Sequence, residues 1–301
     1  MADDATHPER GSRTRLGAAL THHLRQLGRL WWLYARMDVL WIARGTRDAL
    51  IWICSDVIVS LAGISTTVLL AERFGGIGAW QRDQILFMLG YAMCVGALLG
   101  VFAGYNIAMI SRRIGRGQLD HMLVQPQPLW RLLVTEGFSP ISQLVVAGVS
   151  AAALVWTAAR LPTPATPAWI ALVLLNLMAS AAIVFSLQLA WGSIAFWAPR
   201  AAEEINSATN RMIGQLGTLP LDGVPRAVLG GLLSAVPVGF VAWLPSRGIA
   251  GIGASPLLPG AAVAPLAAPL FVAAAVLVFR RGLRHYGRVG SQRYSSFGHR
   301  R

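Results

Sequence analysis

The sequence predicts an all-α polytopic membrane protein, and two observations carry that class. Only 13% of its 301 residues are charged and 55% are apolar, whereas soluble domains carry about 25% charged residues. Residues 85–110, 137–159, 168–197 and 248–279 run without one charged side chain, each stretch longer than the roughly 20 residues a helix needs to cross hydrocarbon.

Residues 1–48 are expected to form a cytoplasmic N-terminal region. They carry eight arginines and lack the short apolar core and small-residue cleavage site of a secretory signal, so this segment is expected to be retained. Leu20, Leu24, Leu27, Trp31 and Tyr34 recur at steps of three and four, which sets them on one helical face with Arg25 and Arg29 away from it. This spacing predicts an interfacial amphipathic helix. Trp31, Trp32 and Trp41 either lie at headgroup level, where an indole buries its ring and keeps its N–H wet, or pack against the protein's own spans.

A transmembrane unit over residues 49–281 follows. Its expected spans cover about 49–71, 85–110, 132–158, 168–197 and 258–279, with Pro162, Pro164 and Pro167 breaking the chain before the fourth. Between the fourth and the last, two segments compete. Hydropathy selects 227–244, while 201–219 is amphipathic, with a stripe of Ile205, Thr209, Met212, Leu216 and Leu219 and with Glu203, Asn206, Asn210 and Gln215 towards the other side. Either choice makes six spans and puts both termini on one side. Arg73, Arg82, Arg160 and Arg247 fall opposite the termini, joined by Arg226 if 201–219 is the span, and nearly all other arginines fall with them. Since arginine excess marks the cytoplasmic face, both termini, the 111–131 loop and the basic tail 282–301 are expected inside.

Every Lys or Arg position in the chain is arginine. Without lysine there is no P-loop contact to nucleotide phosphates and no Schiff base, so the chain is not itself a P-loop ATPase. Cys54 and Cys94 fall inside apolar runs and read as small buried hydrophobes. His22, His23, His121, His285 and His299 lack metal-ligand spacing, and no G-x-S-x-G elbow occurs. Neither a metal nor a catalytic residue is expected. Asp56 and Glu136, near the cytoplasmic ends of their spans, are expected to reach the interface or pair with arginine. Gly96, Gly100 and Gly104 leave one face of the second span bare over two turns, which suits close helix packing within the chain or across a dimer.

The loop from Ser111 to Pro128 is the most informative segment. Ile114, Leu119, Met122 and Leu123 have amphipathic spacing, Gly115 and Gly117 break the chain, and Pro126 and Pro128 stop it. A short helix parallel to the membrane is predicted. Apolar residues are unnecessary in a solvated connector, so these are expected to be exposed for docking a cytoplasmic partner.

This loop resembles the I-x-x-G-x-L-D-x-x-L-x-x-P signature of bacterial type-2 ABC exporter permeases, in a branch with six spans: Ile114, Gly117, Leu119, Asp120, Leu123 and Pro126 all match. The segment Leu219–Pro225 followed by Pro237, Phe240 and Pro245 is similar to the same branch's Y/F-P-L and P-x-x-F-x-x-x-x-P pattern, and Gly282–Tyr286 resembles its closing G-L-R-x-Y. The resemblance covers most of the chain from residue 85 onward. It implies an elbow helix on the inner surface, six spans, and a coupling helix seated in a separate cytoplasmic ATPase subunit that holds ATP and magnesium. This chain would hold no cofactor and bind no nucleic acid. Surrounded by lipid in the bacterial inner membrane, it would pair with a second copy or a related permease and export its solute. The resemblance favours 201–219 as the fifth span, with 222–244 as re-entrant extracellular helices. Glu203, Glu204, Asn206, Asn210 and Arg211 make that span more polar than the family's usual helix. If it spans, Asn206, Asn210 and Gln215 would line the pathway between two permeases; a cytoplasmic surface helix is the alternative. Two competing classes are a membrane-embedded enzyme acting on lipid, which would want aspartate-rich clusters absent here, and a non-transporting scaffold or sensor.

Overall fold

The computed structural model describes residues 8–74, 76–77, 79–103, 107, 109–162, 165–252 and 260–290. Within them the chain is helical apart from one small hairpin, β1 (Gly76–Ile77) paired with β2 (Trp80–Gln81). Helix α1 (Pro8–Arg44) and helix α2 (Thr46–Phe74) meet at Gly45. One face of α1 is docked on the protein. Its Asp38 carboxylate accepts hydrogen bonds from the N–H groups of Ile141 at 2.8 Å and Ser142 at 3.0 Å, and from the Ser142 hydroxyl. The buried Arg131 donates to Gln26 and, at 2.7 Å, to His23 Nδ1. Trp31 takes the packing alternative, 5.9 Å from the Phe102 ring and 5.8 Å from Phe138, whereas Trp32 and Trp41 are exposed.

Among the described residues three helices are long and apolar enough to cross a membrane: α3 (Arg82–Phe102), the unit of α8 (Pro167–Ser193) with its 3-10 extension Ile194–Phe196, and α12 (Gly260–Val289). A fourth candidate is bent by 70° and consists of α10 (Arg226–Leu233) and the segment Val238–Ile249, which includes α11 (Trp243–Ile249). Thr166 starts α8 by accepting the Trp169 N–H on its side chain, and Pro167 follows at the first helical position, where no N–H is needed.

Several expected boundaries move. The second span is expected to reach residue 110, but α3 closes at Ala103, whose N–H donates to the Leu99 carbonyl at 2.8 Å. The third, read as continuous over 132–158, is split into α6 (Leu129–Thr135) and α7 (Leu144–Ala158). Gly137, Ser139 and Pro140 break it, and the turn they make is held by the Asp38 contacts and by the Ser139 N–H on Val101 O. At 15 residues α7 is about 22 Å long, shorter than the hydrocarbon core. The last helix continues ten residues past Phe279, so the first part of the supposed tail is helix. Cys54 is exposed and Cys94 half-buried, which corrects the reading of Cys54 as a core residue.

Both ends of the bent pair lie at one end of the bundle. Asp222, before α10, meets Trp80 of the hairpin, and Ile249 O, closing α11, accepts from Trp169 at the start of α8. The bend itself reaches inward, where Leu233 and Phe240 pack with Ala179, Ile183, Ala264 and Ala268. Helix α9 (Pro199–Leu216) runs back along α8 from the opposite end. Besides the cluster at the bend, one core cluster lies at the hairpin end around Trp80, Phe87, Tyr91 and Trp243, and one at the loop end around Ile110, Leu119, Phe196 and Phe279.

Candidate coupling surface and polar seam

The loop end is built from α4 (Ile110–Gly115), α5 (Gln118–Leu123) and α6. Gly117 joins the first two with φ +70°, a left-handed conformation that glycine adopts without steric cost. Ile114, Leu119 and Met122 point inward, against the cluster that includes Leu132, Leu133, Phe196, Phe279 and Tyr286. The expectation that these apolar residues are exposed for a partner is therefore corrected. Leu119 is 0% exposed and acts as an anchor, and burying such a side chain contributes about 1.5–3 kcal/mol. Of the expected four only Leu123 is presented to solvent, together with Arg116, Gln118, His121, Val124, Gln125, Pro126 and Pro128. Val124 is 83% exposed. Of the six signature residues, Leu123 and Pro126 face out, Ile114, Gly117 and Leu119 face in, and Asp120 lies between.

Asp120 is the acceptor of the Tyr286 hydroxyl at 2.5 Å. Tyr286 is buried on α12, its ring 5.6 Å from Phe196, which in turn lies 5.6 Å from Phe279. Gly282 faces the Phe196 ring so closely that a Cβ there has no room, and Gly192 is packed in the same way on Ile110. Two ion pairs extend these links: Arg112 Nε with Glu203 of α9 at 2.8 Å, and Arg113 with Glu136 at the end of α6 at 2.6 Å. Tyr34 of α1 lies beside the second pair. Burial, then the Glu136 carboxylate, raises its phenol above the ordinary range, offset in part by Arg113. The loop is thus bonded to α6, α9 and α12 at once. Tyr286 and Glu203 were not singled out as its partners from sequence, although the spacing Phe279, Gly282, Leu283, Tyr286 carries a helical signal past the expected end of the span.

Helix α9 turns its polar residues two ways. Asn206, 1% exposed, donates to Ser111 Oγ at 3.4 Å, and Asn210 accepts from Gln188 of α8 at 3.2 Å. Gln215 is exposed, with Glu204 and Arg211. On α3, a Cβ at Gly96 would meet nothing within 4 Å, whereas one at Gly100 would come within 2.7 Å of Gln143 Oε1. Gly104 lies outside the described residues. Gly90, not part of the motif, is the glycine that meets the α7 backbone, with Leu154 Cα 3.1 Å from its Cβ position. Asp56 is another expected site whose side chain lies outside the described residues.

At the hairpin end, Asp222 accepts from the indole N–H of Trp80 and, at 2.8 Å, of Trp243, and its other oxygen is 3.2 Å from Arg247. One carboxylate, from the segment before α10, thereby ties the hairpin to α11, the second limb of the bent pair. Among the described residues no group of three His, Cys, Asp or Glu side chains could hold a metal.

No curated protein and no solved structure matches the chain. The family described as ABC-2 family transporter protein matches residues 57–290, most of the length and nearly all of the helices above. This multi-pass membrane protein belongs to the ABC-2 transporter family.

Proposed function

We propose that the chain is the permease subunit of an ATP-driven exporter, which forms the translocation pathway as a dimer with a second copy or a related permease. It couples through residues 111–128 to a separate ATPase subunit that binds ATP and magnesium. The observation that carries this reading is the build of the loop: an exposed tip around Val124 on an anchored base bonded to three helices. A tip that is accessible and a base that is not free to yield is what transmission of force from a docked partner requires.

In this reading α1 is the elbow and the six spans are α2, α3, α7, α8, α9 and α12. The return of both ends of the bent pair to the hairpin end supports reading it as re-entrant. The loop end is cytoplasmic and the protein sits in the bacterial inner membrane, as the arginine distribution favours.

The test is purification of the tagged chain in nanodiscs from its native membrane, with mass spectrometry of what accompanies it, before and after cross-linking through Val124→Cys. A Walker-motif ATPase at one copy per permease is the expected result, and any second permease recovered defines the dimer. A chain that stays alone after cross-linking overturns the proposal.

A further inference from the structure

Most arginines of this chain lie on α1 or at the two ends of the bundle, and several are matched. Arg82, Arg112, Arg113, Arg160 and Arg247 each face a carboxylate, and Arg131 is held by His23 and Gln26. Arg211 differs in place and surroundings. It lies about 18 Å along α9 from Pro199. Its neighbour Asn210 bonds Gln188 of α8, and Ile213, two residues on, already packs in the hairpin-end core. Arg211 is therefore near mid-bundle, it is exposed, and no carboxylate lies within 4.0 Å of it among the described residues.

The face it shares holds Glu204, Ile205, Ala208, Met212 and Gln215, all exposed, while Ala202, Asn206 and Thr209 are buried on the opposite side. Hydrocarbon is an unfavourable neighbour for that mixture, because a guanidinium at such depth must find water or a counter-charge. A packed protein core would be equally unsuited to it. A wet passage that carries an amphiphile satisfies both the charges and the apolar residues.

Resting on the permease reading above, we propose that this face of α9 lines the pathway and that Arg211 binds an anionic headgroup, a carboxylate or phosphate type, on an amphiphilic solute. Gln215, one turn on, adds a hydrogen bond, and Ile205 and Met212 contact the apolar part. Arginine suits the task because its planar fork stays charged and meets an oxyanion with two parallel N–H donors.

Two measurements on the full chain in nanodiscs separate the two statements. In a Cys54→Ala, Cys94→Ala background, Arg211→Cys is treated with a membrane-impermeant methanethiosulfonate, with Val155→Cys on the exposed side of α7 as the lipid-facing control. Labelling of the first and not the second is expected. An Arg211→Cys that does not react overturns the pathway placement. Saturable binding is then followed with dansyl-undecanoate, its methyl ester and its choline ester. Arg211→Gln should weaken the anion about tenfold or more, the scale of a lost charge-assisted hydrogen bond, and leave the methyl ester unchanged; Arg211→Lys should restore most of the preference. If Arg211→Cys labels but Arg211→Gln leaves the anion's affinity as it was, or weakens the ester equally, the pathway stands and the anion assignment falls.

Discussion

Tyr286→Phe removes one hydroxyl from the junction between the loop and α12 and leaves the buried ring in place against Phe196. That hydroxyl donates to Asp120 at 2.5 Å, and a hydrogen bond to a charged acceptor contributes about 1.5–3 kcal/mol. Asp120 is half-exposed and can turn to water, so the expected loss is near the low end, about 1.5 kcal/mol. A thermal-unfolding cycle in detergent with Tyr286→Phe, Asp120→Asn and the double variant should give a coupling energy of about 1–1.5 kcal/mol, within the range of directly bonded neighbours. The functional effect is larger if the loop moves α12. With the ATPase co-purified, Tyr286→Phe should retain its partner and its ATP turnover while solute moved per ATP falls severalfold. Additive single variants, or an unchanged ratio of transport to hydrolysis, would refute the claim that this bond links the loop to the last helix.

The rest of the loop separates anchors from contacts. Leu119→Asp places a carboxylate in a site with no exposure and should lower the unfolding temperature sharply, a loss of about 3 kcal/mol or more; Val124→Asp should leave stability within about 0.5 kcal/mol and release the ATPase in a pull-down. Glycines on one helix should also differ from those on another: Gly282→Ala pushes a Cβ into the Phe196 ring and should cost about 1–3 kcal/mol, while Gly96→Ala meets open space and should be neutral or slightly stabilising in the same melt. Asp222→Ala leaves two indole N–H groups without their acceptor and Arg247 without its carboxylate, which should cost about 2–3 kcal/mol and shift tryptophan emission. Asp38→Ala removes three hydrogen bonds from α1 and should expose α1 to limited proteolysis without unfolding the bundle.

How much of this was legible depended on scale. Long charge-free runs identified α3, α8 and α12, because crossing hydrocarbon imposes a length that composition alone reveals. Shorter elements were misjudged where tertiary bonds decide. A hydropathy window passes over Gly137, Ser139 and Pro140, yet Asp38, a hundred residues upstream, stabilises the turn there. The loop's helical spacing was visible, but which face pointed to the protein was not: Leu119 would suit a partner's groove or the underside of Phe196 equally well by residue type. Asn206 and Asn210 stood out as polar residues in a candidate span, and their partners Ser111 and Gln188 could not be read from spacing.

The polarity of α9 has a consequence for the order of assembly. A nascent segment enters the bilayer on its own apolarity, and α9, with two glutamates, two arginines and two asparagines in 18 residues, has too little. It packs on α4, α8, the turn between α8 and α9, and the Val238–Phe240 turn of the bent pair that follows it in the chain. If α9 is the fifth span, as proposed, it is a late arrival that settles against a scaffold already inserted. Chains truncated just after Leu216 should leave it accessible from the aqueous side, while chains that also contain the bent pair and α12 should protect it.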